Sequence, residues 1–194
     1  MLKRKNHLVF CSVALMFMGQ SALAEDQTVR LLDQDQNAVE YVVVSFKKKG
    51  ETYSLQGAPS AVMEQRDQAF NPYVLAVQAG TKVTFPNFDN FRHHVYSFSK
   101  AKRFEIKLYG GDEEKSETFD KAGTVALGCN IHDDMLAYIQ VVDSPHFGVT
   151  NAAGEVVLAG LEAGDYEASV WHPRQMRRDE LAKQDVTVTG NGEV

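Results

Sequence analysis

Three side chains that bind soft metals stand three positions apart in the second half of the chain. They are Cys129, His132 and Met135, in the run Gly-Cys-Asn-Ile-His-Asp-Asp-Met. A thiolate, an imidazole and a thioether together suit copper, because this mixture serves both Cu(I) and Cu(II). A trigonal copper set needs a second imidazole, with methionine as a weak axial ligand. The spacing therefore predicts a one-copper site whose remaining histidine comes from another strand.

Two adjacent histidines upstream could supply that ligand. His93 and His94 lie in the run Asn-Phe-Arg-His-His-Val-Tyr, at the start of an apolar segment. Neighbouring residues of a strand point to opposite faces, so only one of the two rings can reach the metal. Strand alternation alone leaves both choices open. Zinc is a rival metal, but structural zinc prefers several Cys and His ligands and does not select methionine.

The first 24 residues are predicted to form an export signal. Lys3, Arg4 and Lys5 precede an apolar run, and Ala22-Leu23-Ala24 offers small residues for cleavage. The mature protein is then expected in the periplasm, with no membrane span because no later stretch is long and apolar enough. Losing these three positive charges takes the formal net charge from −6 to −9. An acidic surface disfavours nucleic acid and anionic lipid and favours a basic protein partner.

Export makes the cysteine count informative. Cys11 leaves with the signal, so Cys129 is the one cysteine of the mature chain. A lone thiol in an oxidising compartment could form an intermolecular disulfide, stay buried and inert, or bind a metal. The nearby histidine and methionine favour the metal.

The elements that must position these ligands are predicted to be strands. About ten short runs rich in Val, Thr, Tyr and Phe alternate with Gly, Asp and Asn, which is typical of an all-β sandwich or barrel. Only two stretches, 64–69 and 177–183, are left open to short helix. The chain divides into the signal (1–24), an N-terminal β segment (25–60), a central domain (61–143) and a C-terminal β segment (144–194).

The central domain resembles the cupredoxins of the plastocyanin and amicyanin group. The resemblance covers about residues 70–143 and rests on the upstream histidine and on Cys-x-x-His-x-x-Met, whose loop spacing is that of amicyanin. It implies a Greek-key β-sandwich that holds copper through His93, Cys129, His132 and Met135, since in that group a Val or similar residue stands two positions after the first ligand. His94 would then hydrogen-bond to the ligand loop, with Asn87 and Asn130 also supporting the ligands.

The whole chain is most similar to exported plastocyanin-like proteins labelled "methylamine utilization protein", through HHVYSFS, GCNIHDDM and VWHP. The flanking segments resemble the small Greek-key modules of transthyretin and of the carboxypeptidase regulatory domain. This second resemblance implies that residues 25–60 and 144–194 pair with each other around an inserted central unit.

The expected function is single-electron transfer by a type 1 (blue) copper protein. The partner would be a basic redox protein such as a c-type cytochrome or a dehydrogenase. Copper buffering or delivery is the alternative. A third hypothesis is a metal-free β-protein whose site is vestigial. The intact set of ligands argues against it. No catalytic motif is present, and four ligands leave no vacant position for a substrate, so an enzyme is not expected. Asp133 and Asp134 depart from the amicyanin loop; they predict an acidic docking surface and a lower reduction potential.

Overall fold

The computed structural model describes residues 25–54, 59–175 and 180–189, and the predicted export signal lies outside them. Every regular element in these ranges is a strand, which confirms the predicted all-β class. None of these residues forms a helix that could cross a bilayer. The strands are β1 (Glu25–Arg30), β2 (Val43–Lys48), β3 (Ser60–Val62), β4 (Glu64–Arg66), β5 (Ala69–Asn71), β6 (Val74–Gln78), β7 (Thr81–Thr84), β8 (His93–Phe98), β9 (Arg103–Tyr109), β10 (Ser116–Phe119), β11 (Gly123–Cys129), β12 (His132–Val142), β13 (His146–Val149), β14 (Glu155–Leu161), β15 (Gly164–Trp171) and β16 (Ala182–Val188).

Two facing sheets make up the central part of the chain. One has five strands in the order β6-β12-β11-β8-β9, and the other has three in the order β10-β7-β3. Alternation along β11 turns Val125, Leu127 and Cys129 toward the space between the sheets. There they join a continuous apolar core that includes Phe85 and Phe119. Cys129 is therefore the last inward residue of a core strand.

The two terminal segments pair with each other. β1 is antiparallel to β14, while β2 lies between β13 and β15 in a four-stranded sheet that β16 completes. A second apolar core, with Phe46, Leu158 and Tyr166, fills the space between these strands. This flanking module takes strands from both ends of the described chain, so the central sandwich is an insertion within it.

A third apolar cluster joins the module to the sandwich. Val43 and Trp171 of the module pack against Val74 and Tyr138 of the five-stranded sheet, and the rings of Tyr138 and Trp171 lie 5.4 Å apart. β2 is consequently buried on both faces, which explains its unbroken apolar start, Val43-Val44 after Val42. The two parts therefore share buried surface.

The stretch 64–69, left open to helix, is a hairpin of β4 and β5. Its turn residues Asp67 and Gln68 have φ of 54° and 58°, values that a helix does not allow. Of the second such stretch, 177–183, the last two residues begin β16 and 177–179 lie outside the described residues. The sequence left 64–69 open to helix because neither the pairing of β4 with β5 nor the left-handed turn between them has a clear signature in the residue types.

Candidate metal centre

Cys129 ends β11 at a β-bulge, where the register with β12 shifts and Cys129 comes opposite His132. The turn between them, Asn130 and Ile131, lets both side chains reach the same end of the sandwich. Cys129 is only 3% exposed. A tight strand connection therefore brings two predicted ligands together at the edge of the core.

His93 completes a cluster with these two residues. Its Nδ1 lies 3.9 Å from the Cys129 Sγ, and the Nδ1 of His132 lies 3.9 Å from the same sulfur. All three ligand atoms fall within 4.8 Å of one another. Metal bonds to nitrogen and sulfur are about 2.0–2.3 Å long, so two ligands of one ion stand less than about 4.5 Å apart. The sulfur-to-nitrogen separations fit a shared ion, and one thiolate with two imidazoles suits copper.

Met135, the predicted axial ligand, is buried in the core that also contains Cys129. It lies on β12, three residues beyond His132. Asp133 and Asp134, which stand between them, are both exposed. The fourth predicted ligand thus lies on the same strand as His132 and faces the interior, while the two carboxylates face outward.

His94 points away from this cluster. Its Nε2 lies 2.9 Å from Glu105 Oε1 on β9, and its buried Nδ1 has no hydrogen-bond partner. Neither ring nitrogen bonds to the loop that carries Cys129 and His132, so the predicted bond from His94 to that loop is not formed. The reason is strand alternation, which sends His93 to the inner face of β8 and His94 to the outer one.

The two predicted supporting asparagines behave differently. Asn87 braces the loop before β8, because its Nδ2 donates to the carbonyl oxygens of Phe91 (2.8 Å) and Tyr109 (3.2 Å). Its Oδ1 accepts from the backbone N–H of Asp89 at 2.9 Å. Asn130, in contrast, is exposed in the turn between β11 and β12. Asn87 therefore shapes the loop that leads to His93.

Asp89 is a residue of the site that the sequence analysis missed. Its Oδ2 lies 2.7 Å from the Nε2 of His93, on the side of the ring away from Cys129. Burial alone would raise the pKa of Asp89, but hydrogen bonds from His93 and from the N–H groups of Gln68 and Asp67 outweigh it and hold that pKa below its ordinary value. The one signal in sequence is an aspartate four positions before the histidine.

A buried tyrosine lies beside the centre. The Tyr109 hydroxyl donates to the Phe85 carbonyl oxygen at 2.6 Å and accepts a hydrogen bond from Gln65. The pKa of Tyr109 is raised to about 12, mainly by burial; the Gln65 hydrogen bond lowers it in part, and nearby Cys129 contributes to the increase. The phenol therefore stays neutral and fixes the loop at Phe85 beneath the site.

The surface around His132 combines apolar and acidic groups. The Phe91 ring lies 5.1 Å from that of His93 and 5.5 Å from that of His132, and Phe91 is 38% exposed. Ile131, in the ligand loop, is 50% exposed. Alongside the exposed Asp133 and Asp134, on which an acidic docking surface is predicted, this end of the molecule therefore also presents apolar side chains.

Comparison with known proteins finds similarity only among solved structures. No protein-family model and no curated protein matches the chain. A copper-containing nitrite reductase (NirK) from Thermus scotoductus SA-01 is 26% identical with a TM-score of 0.41; the match covers 47% of this chain and only 25% of that enzyme. A purple cupredoxin from Nitrosopumilus maritimus is 19% identical (TM-score 0.39) over 42% of this chain and 99% of its own. A reduced Cu(I) form of an amicyanin variant is 20% identical (TM-score 0.40), over 50% and 99% respectively.

Within this chain, two facing sheets carry His93 at the start of β8, Cys129 at the end of β11, and His132 and Met135 on β12. These sheets form a β-sandwich. The flanking module, built from β1, β2 and β13 to β16, stands outside that sandwich.

Proposed function

We propose that this protein is a type 1 copper protein that carries single electrons between redox partners. The observation that carries the proposal is the convergence of His93 Nδ1, Cys129 Sγ and His132 Nδ1 within 4.8 Å at the end of a β-sandwich. The ligands come from two strands, β8 and β12, and from the end of β11 between them. Copper, when bound, supplies the Cu(I)/Cu(II) couple.

The protein's part is to hold these ligands in one arrangement. His93 is fully buried and Cys129 nearly so, and each belongs to a strand of the same sheet. Rigid strand ends fix the ligand positions better than loops do. A site that moves little when its charge changes has a low reorganisation cost, which suits electron transfer. Met135, buried in the same core, would complete the set as a weak axial ligand.

Ligand burial also favours a carrier over the alternative of copper buffering or delivery. Handing a metal to another protein needs ligands that a partner's side chains can reach. Here His132 is the partly exposed member of the set, whereas His93 and Cys129 lie inside. A single accessible imidazole supports the passage of electrons rather than exchange of the metal. For the same reason we propose no enzymatic step at this site.

We further propose a periplasmic location and a basic redox partner, such as a c-type cytochrome or a dehydrogenase. The location rests on the export-like residues 1–24. The partner's charge rests on the exposed Asp133 and Asp134 beside His132 and on the acidic balance of the chain. Opposite charges accelerate encounter between two proteins.

The visible spectrum tests the copper assignment. Purified protein titrated with Cu(II) should develop an intense absorption near ~600 nm that saturates at one copper per chain, since a thiolate on trigonal Cu(II) is strongly coloured. Cys129→Ser should remove the band while the β-type circular dichroism remains, because the fold rests on burial of the sheets. A wild-type protein that takes up one copper and stays colourless would contradict the proposal.

A further inference from the structure

The Asp89 carboxylate contacts the Nε2 atom of His93, which is the ring nitrogen on the side away from Cys129. The His93 ring is fully buried, and its Nε2 lies 2.7 Å from Asp89 Oδ2, whose side chain is 9% exposed. With Nδ1 facing Cys129, the Nε2 atom carries the ring proton and donates to the carboxylate. The contact therefore fixes both the tautomer and the rotation of His93.

Asp89 is itself held by the hairpin of β4 and β5. The N–H of Asp67 donates to Oδ1 at 2.7 Å, and the N–H of Gln68 donates to Oδ2 at 3.1 Å. Both turn residues have positive φ, an uncommon backbone conformation for residues other than glycine. Both carboxylate oxygens accept a hydrogen bond from the hairpin turn. The hairpin therefore fixes the orientation of Asp89, and Asp89 in turn orients the ring of His93.

The backbone ties the same two segments together. The N–H of Gln65 donates to the carbonyl oxygen of Pro86 at 2.9 Å, and the N–H of Phe88 donates to the carbonyl oxygen of Gln65 at 2.8 Å. β4 thus runs alongside the loop that contains Asp89, in a parallel bridge between Gln65 and Asn87. The position of the carboxylate relative to His93 is therefore determined from two sides.

We propose that Asp89 is a positioning residue that tunes the metal centre through His93, an inference that rests on the proposed copper site. A carboxylate that accepts the Nε2 proton increases electron donation from Nδ1. Stronger donation stabilises Cu(II) more than Cu(I), because the more positive ion gains more from it. Asp89 therefore lowers the reduction potential and raises the affinity for Cu(II).

The neighbouring pair of His94 and Glu105 provides a matched control. It has the same kind of contact, a carboxylate oxygen 2.9 Å from an imidazole Nε2, at the adjacent residue of β8. His94, however, faces the outer side of the sheet. Glu105→Gln removes one negative charge from a carboxylate paired with the residue next to His93, and it leaves the contact between Asp89 and His93 unchanged. The comparison separates the hydrogen bond to His93 from a general effect of charge.

The experiment measures reduction potential and Cu(II) affinity for wild type, Asp89→Asn and Glu105→Gln. We expect Asp89→Asn to lower the ratio of Cu(II) to Cu(I) affinity about tenfold, within the range for groups that orient metal ligands, which corresponds to a potential ~59 mV higher. Glu105→Gln should change the ratio less than about threefold, as expected for a partly exposed charge. Equal shifts in the two variants, or none in Asp89→Asn, would overturn the proposal.

A second measurement needs no variant and decides the matter if Asp89→Asn does not fold. In the diamagnetic Cu(I) protein, nuclear magnetic resonance should show a His93 Nε2 proton that is shifted downfield and exchanges slowly with solvent. A rapidly exchanging proton there would overturn the role of Asp89. A wild-type protein without the ~600 nm band when loaded with Cu(II) would instead refute the copper proposal itself, so the two failures are distinguishable.

Discussion

At the scale of single residues, the adjacent histidines show how strand geometry assigns roles. His93 faces Cys129 and His132 across the site, while His94 makes its contact with Glu105 on the outer face of the sheet. The two residues have the same side chain, and only the alternation of β8 separates them. One ring lies in the cluster with Cys129 and His132, and the other pairs with a surface carboxylate.

Alanine substitution at each histidine tests this assignment. His93→Ala should abolish the ~600 nm absorption on addition of Cu(II), because a trigonal set loses one of its three strong ligands. His94→Ala should retain the band, since neither of its ring nitrogens contacts the cluster. Absorption spectra of both variants at one equivalent of copper suffice. The reverse pattern would mean that His94 is the ligand and that β8 is shifted by one residue.

At the scale of elements, strand ends and turns do the positioning. The β11–β12 turn brings Cys129 opposite His132, and the β4–β5 turn presents two N–H groups to Asp89. Gly128 allows a further close approach: a Cβ built there would lie 2.8 Å from the ring of Tyr96. The absence of a side chain at Gly128 lets β8 carry an aromatic ring directly beside the ligand-bearing end of β11.

The end of β15 carries a titratable residue outside the cluster of His93, Cys129 and His132. His172, which follows Trp171, is buried, and its Nδ1 accepts from the N–H of Arg174 at 3.2 Å. Burial, and then the charge of Arg174, lower the pKa of His172. The unfolded chain then binds a proton more readily than the folded one, so the free energy of unfolding should fall as pH drops below ~6.5 toward the folded pKa.

Urea unfolding of the wild type and of His172→Asn, at pH 7.5 and at lower pH values, checks this expectation. The asparagine retains an acceptor for the Arg174 N–H but does not titrate. The variant should lose less stability than the wild type between neutral and mildly acidic pH, although both share every other titrating group. An identical pH dependence in the two proteins would show that His172 does not contribute.

At the scale of the whole molecule, the flanking module and the central sandwich share buried surface. Trp171 and Tyr138 meet between them, and Val43 and Val74 pack on either side. This contact lies on the face of the five-stranded sheet opposite to the core that contains Cys129. The module therefore packs on the face of the five-stranded sheet that is turned away from Cys129.

Trp171→Ala should lower the free energy of unfolding by about 3–5 kcal/mol, the usual cost of removing a buried aromatic side chain. The copper absorption of the folded variant should stay unchanged, because the cavity opens on the other side of β12. Denaturant unfolding followed at ~600 nm and by circular dichroism measures both quantities. Trp171→Phe, which keeps a ring at the position, should cost less. A changed copper spectrum would instead indicate that the module acts on the site.

The exposed carboxylates beside His132 give a test of the proposed basic partner. Changing Asp133 and Asp134 to Asn should slow electron transfer to a cationic acceptor and flatten its dependence on ionic strength, since steering by these charges is lost. The reduction potential of the copper protein should also rise, because two negative charges that would stabilise Cu(II) are removed. Stopped-flow rates across ionic strength measure the effect. If the electron-transfer rate is independent of ionic strength in both the wild type and the variant, the partner docks elsewhere on the surface.

The sequence by itself determined what depends on local spacing. Cys129, His132 and Met135 lie within seven residues, so one tight turn is enough to gather them, and the alternation of apolar residues in β11 already turned Cys129 inward. The all-β class followed from the same two-residue period, repeated along the chain. Neither conclusion needed knowledge of which strands pair.

The tertiary structure decided whatever depends on segments that are distant in sequence. Which histidine faces Cys129 followed from the register of β8 beside β11, and the bond from Asp89 to His93 followed from a hairpin turn some twenty residues upstream. That turn uses left-handed residues other than glycine, so composition did not reveal it and even left the stretch open to helix. The contacts of Asp89 with His93 and with Gln68 arise from packing between segments distant in sequence, because a carboxylate acts on a ring only once the fold has placed it within hydrogen-bond distance.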